Sequence, residues 1–218
     1  MNWKYLRWFP GLDTRAGFVA RVPQGGTLLD MGSSDGETLG HIAELRPDLR
    51  LRATDLAGAP ERYPAGCEFH RGDLERERLP WGSGSVDAIT CMHLVEHLRG
   101  CENLFGEAAR LLRAGGRIYV ETPHPKTMGL DSPPGVAAGT FTLNFFDDLT
   151  HVRPVTTGGL AQLARRQGLV VEDAGTSRNW LFAAAYPVLR WLPASRQRFT
   201  AQIHWQGWSA YLIARKPA

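Results

Sequence analysis

Residues 27–37 read Thr-Leu-Leu-Asp-Met-Gly-Ser-Ser-Asp-Gly-Glu. A short apolar run suited to a buried strand meets a tight Gly/Ser turn, and Glu37 opens a segment with helical spacing. Glycine is needed where the backbone must approach a ligand or take a positive φ, and the helix start beyond it offers free N–H groups to an anion such as a carboxylate. A turn that merely joins strand to helix is the alternative, so the flanking sequence has to separate the two.

On both sides of this stretch, short apolar runs bounded by Gly, Asp or Pro alternate with segments of helical periodicity. Strands are expected at Thr27–Met31, Leu51–Asp55, Cys67–His70, Val86–Cys91, Arg117–Thr122, Leu169–Asp173 and Tyr211–Ala214. One helical face runs through Leu39, Ile42 and Ala43 to a stop near Pro47. A second carries Leu104, Phe105, Ala108, Leu111 and Leu112 and stops at Gly115-Gly116; a third runs through Leu160, Leu163 and Ala164 to Gly168. This alternation predicts an α/β fold, a doubly wound, mostly parallel seven-stranded sheet covered on both faces, with ligands beyond the carboxyl ends of its strands. Residues 1–26 read as irregular and rich in aromatics. Insertions at about 123–155 and 176–207 break the rhythm over the same face. The second contains the apolar segment Trp180–Leu192, which carries one cation, Arg190, and lacks a basic face. It is expected to be buried against protein, in the core or between two copies of the chain, rather than against lipid.

The chain has 218 residues, a length that suits one domain with decorations. Its 43% hydrophobic and 22% charged residues exclude disorder over most of that length. A net charge of +3 is too small to announce a nucleic-acid stripe, so no nucleic-acid partner is expected. Cys67, Cys91 and Cys101 are odd in number and lack C-x-x-C spacing, which suits a reducing compartment. Neither a secretory signal nor a membrane span is read, and a cytoplasmic location is expected.

The decisive context for the glycine turn is a set of acids at strand ends. Asp30 lies in the first strand, Asp55 ends the second, and Asp73 follows the third. A carboxylate at the Asp55 place can accept both hydroxyls of a ribose. Acids converging on one crevice repel unless a ligand or solvent compensates, so a ligand with cationic and donor character is implied. The sequence resembles the class I S-adenosylmethionine-dependent methyltransferases, in particular the small-molecule branch of the UbiE/UbiG kind. The likeness rests on LLDMGSSDG at 28–36, the acid Asp55, GDLE at 72–75, LPWGSGSVDAITCMHLVEHL at 79–98 and LLRAGGRIYVETP at 111–123, in the family's order. One departure is Ser34, where the family has its middle glycine.

The resemblance implies S-adenosylmethionine as cofactor and S-adenosylhomocysteine as product. Gly32, Ser33, Ser34 and Gly36 would wrap the methionine moiety, with Asp30 near its ammonium group. Asp55 with Leu56 would hold the ribose, and Asp73 with Leu74 would frame the adenine. Met92 and His93 would line the sulfonium side; alternatively Met92 only packs and His93 caps a helix. Arg15, in an aromatic N-terminal lid, would meet the donor's carboxylate, or the same segment would swap between subunits of a homodimer. A nicotinamide dehydrogenase is the competitor, but its loop wants a third glycine, and Asp30 beside a pyrophosphate would be repulsive.

His93-Leu94-Val95-Glu96-His97 also matches H-x-x-E-H, the zinc-peptidase spacing, yet it stands inside the methyltransferase-like stretch, and no metal is expected. Phe145–Thr157 contains an H-x-R-x-x-T run that resembles the acceptor mouth of related enzymes, including ones acting on sugars. Within it Thr156 or Thr157 suits an N-cap, Arg153 an anion, and His151 either proton transfer or ordering of its loop. Methyl transfer asks chiefly for alignment, worth ~7–11 kcal/mol, and for a base to activate a hydroxyl, worth ~10²–10⁴ in rate. His151 is the first candidate base, followed by His97 and by His124, which two prolines hold in an extended turn. The expected activity is methyl transfer to an oxygen, less readily a nitrogen, of a small molecule or glycan. A donor-binding regulatory module without turnover is the alternative.

Overall fold

The computed structural model describes residues 3–132 and 143–218, and every structural statement concerns these. Seven strands form one sheet: β1 (Thr27–Met31), β2 (Arg50–Asp55), β3 (Glu68–Arg71), β4 (Val86–Met92), β5 (Leu112–Pro123), β6 (Val170–Ser177) and β7 (Ser209–Arg215). Their order is β3-β2-β1-β4-β5-β7-β6, with β7 antiparallel to both neighbours and the remaining pairs parallel. Parallel neighbours need crossovers, supplied by α2 (Glu37–Leu45) between β1 and β2 and by α3 (Glu102–Leu111) between β4 and β5, while α4 (Thr157–Arg166) leads from β5 to β6. Strand order reverses between β1 and β4, and that reversal opens a crevice beyond their carboxyl ends.

All five residues of β1 are buried, as a strand covered on both faces requires. Its period of two sends Leu28 into one layer with Phe18, Leu39, Ile42 and Tyr119, and Leu29 into the other with Ile89, Leu104, Phe105 and Leu212. The seven expected strands are all present, with shifted ends. Leu112 belongs to β5, not to the second helix, which ends at Leu111 because Leu112 turns extended at φ −60°, ψ 134°. Gly115 and Gly116 therefore lie inside the strand, where Gly115 bonds to the carbonyl of Lys216 rather than closing a helix.

Residues 1–26 are less irregular than their composition suggested. α1 (Thr14–Ala20) starts at Asp13, whose side chain accepts from the backbone of Arg15 and Ala16. The other Asp13 oxygen accepts from Asn179 Nδ2 at 3.0 Å, tying this segment to the start of α5 (Trp180–Leu189). Ahead of α1, Trp3 is buried and stacks on His41 of α2, with ring centroids 5.7 Å apart.

The segment Trp180–Leu192 departs from expectation. It forms α5 and leads toward α6 (Arg196–Gln206), but of the residues of α5 only Ala183 is buried. Burial in the core is thereby overturned: α5 lies outside the sheet, and one side of it rests on α6 while the other has no partner among the described residues. Part of the first insertion, residues 133–142, lies outside the described residues.

Asp13→Ala removes a helix cap and strands the Asn179 amide, both buried. A loss of about 1–3 kcal/mol in unfolding free energy is expected in urea denaturation, with an unchanged m-value.

Candidate active site

The carboxyl ends of three adjacent strands are level. Met31 pairs with Thr54, and Gly32 N–H then donates to the Thr54 carbonyl at 2.8 Å. Gly72 N–H donates to the Asp55 carbonyl at 3.1 Å, which brings the Asp73 segment alongside. Between β1 and α2 the chain makes its turn with three positive φ angles: Gly32 at 82°, Ser34 at 45° and Gly36 at 83°. A Cβ at Gly36 would sit 2.5 Å from the Tyr63 ring, and one at Gly32 would crowd Leu94 at 3.0 Å. Both glycines are thus required by angle and by space. Ser34 holds the left-handed conformation without glycine's freedom, at a cost of ~1–2 kcal/mol.

Tyr63, which the sequence reading missed, compensates for that strain. Its hydroxyl donates to the Ser34 carbonyl at 2.9 Å and bonds Ser33 Oγ at 2.8 Å. The Asp55 carboxylate completes the clamp. One oxygen accepts from Ser34 N–H at 2.9 Å, and the other accepts from Ala57 at 2.9 Å and Gly58 at 3.0 Å. Nothing local to residues 33–34 announces Tyr63, because it reaches the turn from beyond β2.

The three acids differ in environment. Asp30 is buried and accepts from Thr90 Oγ1 of β4 at 2.7 Å. Burial pushes its pKa up to about 7, the Thr90 bond opposes this, and the charge of Asp55 adds to it. Asp73 is half-buried and accepts from Glu75 N–H at 2.9 Å, while Leu74 beside it is buried. Leu56 is exposed at the crevice rim, apolar and uncovered. Met92, at the end of β4, packs beneath α2 and lines a cavity of about 530 Å³ with Arg15, Thr38, Asn179 and Ile203.

His93 caps no helix. It takes φ 53° and sits between two buried carboxylates, Nδ1 at 3.1 Å from Glu96 and Nε2 at 3.2 Å from Glu121. Burial alone would lower the imidazole pKa, but these two hydrogen bonds outweigh it and push it up to about 9. Glu121 also receives the Arg15 guanidinium through both Nε, at 2.9 Å, and Nη2. Burial alone would raise this carboxyl, but Arg15 and His93 hold it well below the usual carboxylate range. Arg15 is therefore committed to Glu121 rather than held open for a donor carboxylate. Glu96 ends the row, accepting from Thr122 Oγ1 at 3.1 Å.

The H-x-x-E-H spacing does not bring its histidines together. Val95–His97 is one turn of 3-10 helix, not α-helix, so the two imidazoles face different ways. His97 meets His151 instead, with ring centroids 4.8 Å apart. Its Nδ1 faces the Thr150 carbonyl at 3.2 Å, and His151 Nδ1 faces the Phe145 carbonyl at 2.6 Å. A carbonyl only accepts, so both Nδ1 atoms carry hydrogen and each neutral ring keeps its lone pair on Nε2. Ligand atoms of Glu96, His97 and His151 lie within 4.8 Å of one another, a donor set that suits a proton or a small divalent cation. Glu96 also binds the His151 loop by backbone, accepting from Val152 N–H at 2.8 Å. His124 is otherwise employed: its Nδ1 accepts from Lys126 N–H at 3.1 Å, and burial followed by the nearby Lys126 charge lowers its pKa. Arg153 points toward Cys101 Sγ at 3.7 Å, and Thr156 is the N-cap of α4.

The residues present fit S-adenosylmethionine. A tight turn that two glycines make possible precedes α2, and the carboxylates of Asp30, Asp55 and Asp73 stand at or near strand ends where a cationic, hydroxyl-rich ligand needs acceptors. Comparison with known proteins agrees. A family model described as a methyltransferase domain matches residues 29–120. A ubiquinone biosynthesis O-methyltransferase of Cupriavidus pinatubonensis is 27% identical over 185 residues, 80% of this chain and 69% of that protein. A probable S-adenosylmethionine-dependent methyltransferase of Mycolicibacterium smegmatis is 29% identical over 171 residues, 76% of this chain and 60% of that one. In fold, an S-adenosylmethionine-dependent methyltransferase from Mesorhizobium loti superposes with TM-score 0.64 at 20% identity, over 96% of this chain and 98% of that structure. With the reversed strand order, the glycine turn and the strand-end acids all in place, residues 29–120 match a methyltransferase domain, and the chain is similar in sequence and in fold to S-adenosylmethionine-dependent methyltransferases.

Proposed function

We propose that residues 1–218 act as one methyltransferase domain that moves a methyl group to an oxygen of a small molecule, with a nitrogen or a glycan hydroxyl as secondary acceptors. The observation that carries this reading is the His97–His151 pair, whose Nδ1–H groups are committed to carbonyl oxygens and whose Nε2 atoms keep their lone pairs. The name of the Cupriavidus relative, an O-methyltransferase, supports oxygen as the acceptor. The cysteines Cys67, Cys91 and Cys101, all free thiols, support a cytoplasmic setting. No helix of the described residues is long and apolar enough to cross a membrane.

When bound, S-adenosylmethionine supplies a methyl group already activated on sulfonium. The chain's own part is to bind, align and deprotonate. Gly32, Ser33, Ser34 and Gly36 give the methionine end a backbone cradle, and Asp30 offers its ammonium a carboxylate. Asp55 and Leu56 hold the ribose, and Asp73 and Leu74 frame the adenine. Met92 faces the reacting end, with His93 fixed behind it by Glu96 and Glu121. His151 Nε2 takes the acceptor's proton, and Asp148, with Oδ2 at 3.8 Å, stabilises the resulting imidazolium. His97 stands beside it as the second base. No metal takes part.

Three outcomes test this. Asp55→Ala should weaken binding of S-adenosylhomocysteine by roughly 10- to 100-fold in calorimetry on folded protein, the loss of charged hydrogen bonds. Unchanged affinity would count against the ribose assignment. Asp30 has a folded pKa of about 7, above its ordinary value, so the ionised form destabilises the ligand-free protein above that pH and the penalty is relieved as pH falls toward 3.8. Asp30→Asn should therefore melt higher than wild type at pH 8 without ligand, yet bind donor more weakly and lose the pH dependence of affinity near 7. His151→Ala should lower turnover by about 10²–10⁴ while leaving donor affinity intact. Wild-type turnover should survive exhaustive chelation, and loss of activity restored by a divalent ion would refute the metal-free reading.

A further inference from the structure

The outward side of α5 is apolar and has no partner among the described residues. Trp180, Leu181, Ala184, Pro187 and Val188 are all exposed. At 100° per residue they fall within about 120° of the helix circumference, one continuous stripe. Trp191 and Leu192, just beyond the helix, extend it, with Trp191 79% exposed and Val188 71%. The opposite side of α5 is spent on α6, where Tyr186 meets Trp205 at 6.1 Å and Phe182 meets His204 at 6.0 Å. So α5 is apolar all round but covered on one side only.

The charged side chains of the α5–α6 hairpin itself have a single sign. From Ala174 to Ala218 the sequence holds no Asp or Glu, while Arg178, Arg190, Arg196 and Arg198 lie between 176 and 207. Arg190 stacks 5.0 Å over Trp191, so cation and indole are presented together there, whereas Arg178, 5.6 Å over Trp180, donates Nη1 to the carbonyls of His204 and Trp205 and is spent on α6. Arg196 reaches Glu37 at 3.2 Å, an exposed pair that water and ions screen. A second copy of the chain is a poor cover, because a twofold contact would set Arg190 and its indole against their own copies, with no acidic residue on either α5–α6 hairpin to pair with them. Spanning is excluded by length: ten residues of helix measure about 15 Å against about 30 Å of hydrocarbon.

We propose that the outer face of α5, with Trp191 and Leu192, is a docking surface for an anionic phospholipid bilayer. The helix lies in the plane of the headgroups, its stripe enters the acyl boundary, and Arg190 meets lipid phosphates. Asn179 at the entry to α5 is held by Asp13, so the surface is fixed relative to α1 and to the sheet. Phe182, Ile203 and His204 of the same hairpin line the 530 Å³ cavity, which places that cavity beside the membrane surface. None of this depends on which acceptor is methylated.

The test is flotation of the full chain with extruded vesicles, either phosphatidylcholine alone or phosphatidylcholine with phosphatidylglycerol. Binding to the anionic vesicles should exceed binding to the neutral ones by about tenfold or more and weaken with salt, with a blue shift of tryptophan emission. Val188→Glu and Trp191→Ser, both at exposed positions, should abolish binding while thermal melting stays as in wild type, and Arg190→Gln should weaken it about fivefold. No binding to anionic vesicles, or equal binding to both kinds, overturns the proposal. So does a lipid-free dimer in sedimentation velocity that Val188→Glu dissociates, since a second copy would then be the cover.

Discussion

A row of alternating charges, Arg15, Glu121, His93 and Glu96, its carboxylates buried and its cations half-buried, joins the parts of the protein that make up its candidate site. Arg15 comes from α1, Glu121 from β5, and His93 and Glu96 from the loop after β4. Two cations and two carboxylates balance, which is the condition for keeping Glu121 and Glu96 out of water. Removing one member leaves an uncompensated buried charge, at a cost of about 3–5 kcal/mol. The row is therefore a strong constraint on geometry even where its net stabilisation is small. It fixes His93 in a left-handed conformation next to Met92 and, through the Glu96 carbonyl, pins the loop that carries His151.

Two strained non-glycine residues, Ser34 and His93, stand on either side of the strand-order reversal. Each is over-determined by its surroundings: Ser34 by Tyr63 and Asp55, His93 by two carboxylates. Such strain persists only where neighbouring contacts offset it, and here both sets of contacts converge on the crevice. The turn after β1 and the loop after β4 are thus held by one frame of cross-strand contacts. Thr90, reaching from β4 to Asp30, is the cross-strand element of that frame.

The glycine turn and the strand-end acids were legible in the sequence because they are local, a run of residues whose φ angles and strand-end places follow from spacing. The helix expected through Leu112 and the irregular reading of residues 14–20 went wrong at boundaries, where Asp13 as a cap and the extended Leu112 outweigh periodicity. The H-x-x-E-H match, read from its context as no metal site, has a structural reason not to pair its histidines. Their spacing presumes an α-helix, and the chain makes a single 3-10 turn there to let Glu96 point inward.

From the sequence alone came the α/β alternation, the glycine turn, the strand-end places of Asp30, Asp55 and Asp73, and the candidacy of His97 and His151, since each depends on neighbours within a few residues. Tertiary structure decided what long-range pairing controls: that Arg15 is spent on Glu121, that Tyr63 supports Ser34, that His97 finds His151 rather than His93, and that the apolar stripe of α5 faces outward. A hydrophobic run states that apolar surface must be covered. Which surface covers it is settled by where the sheet and α6 leave room, and that is a property of the whole chain.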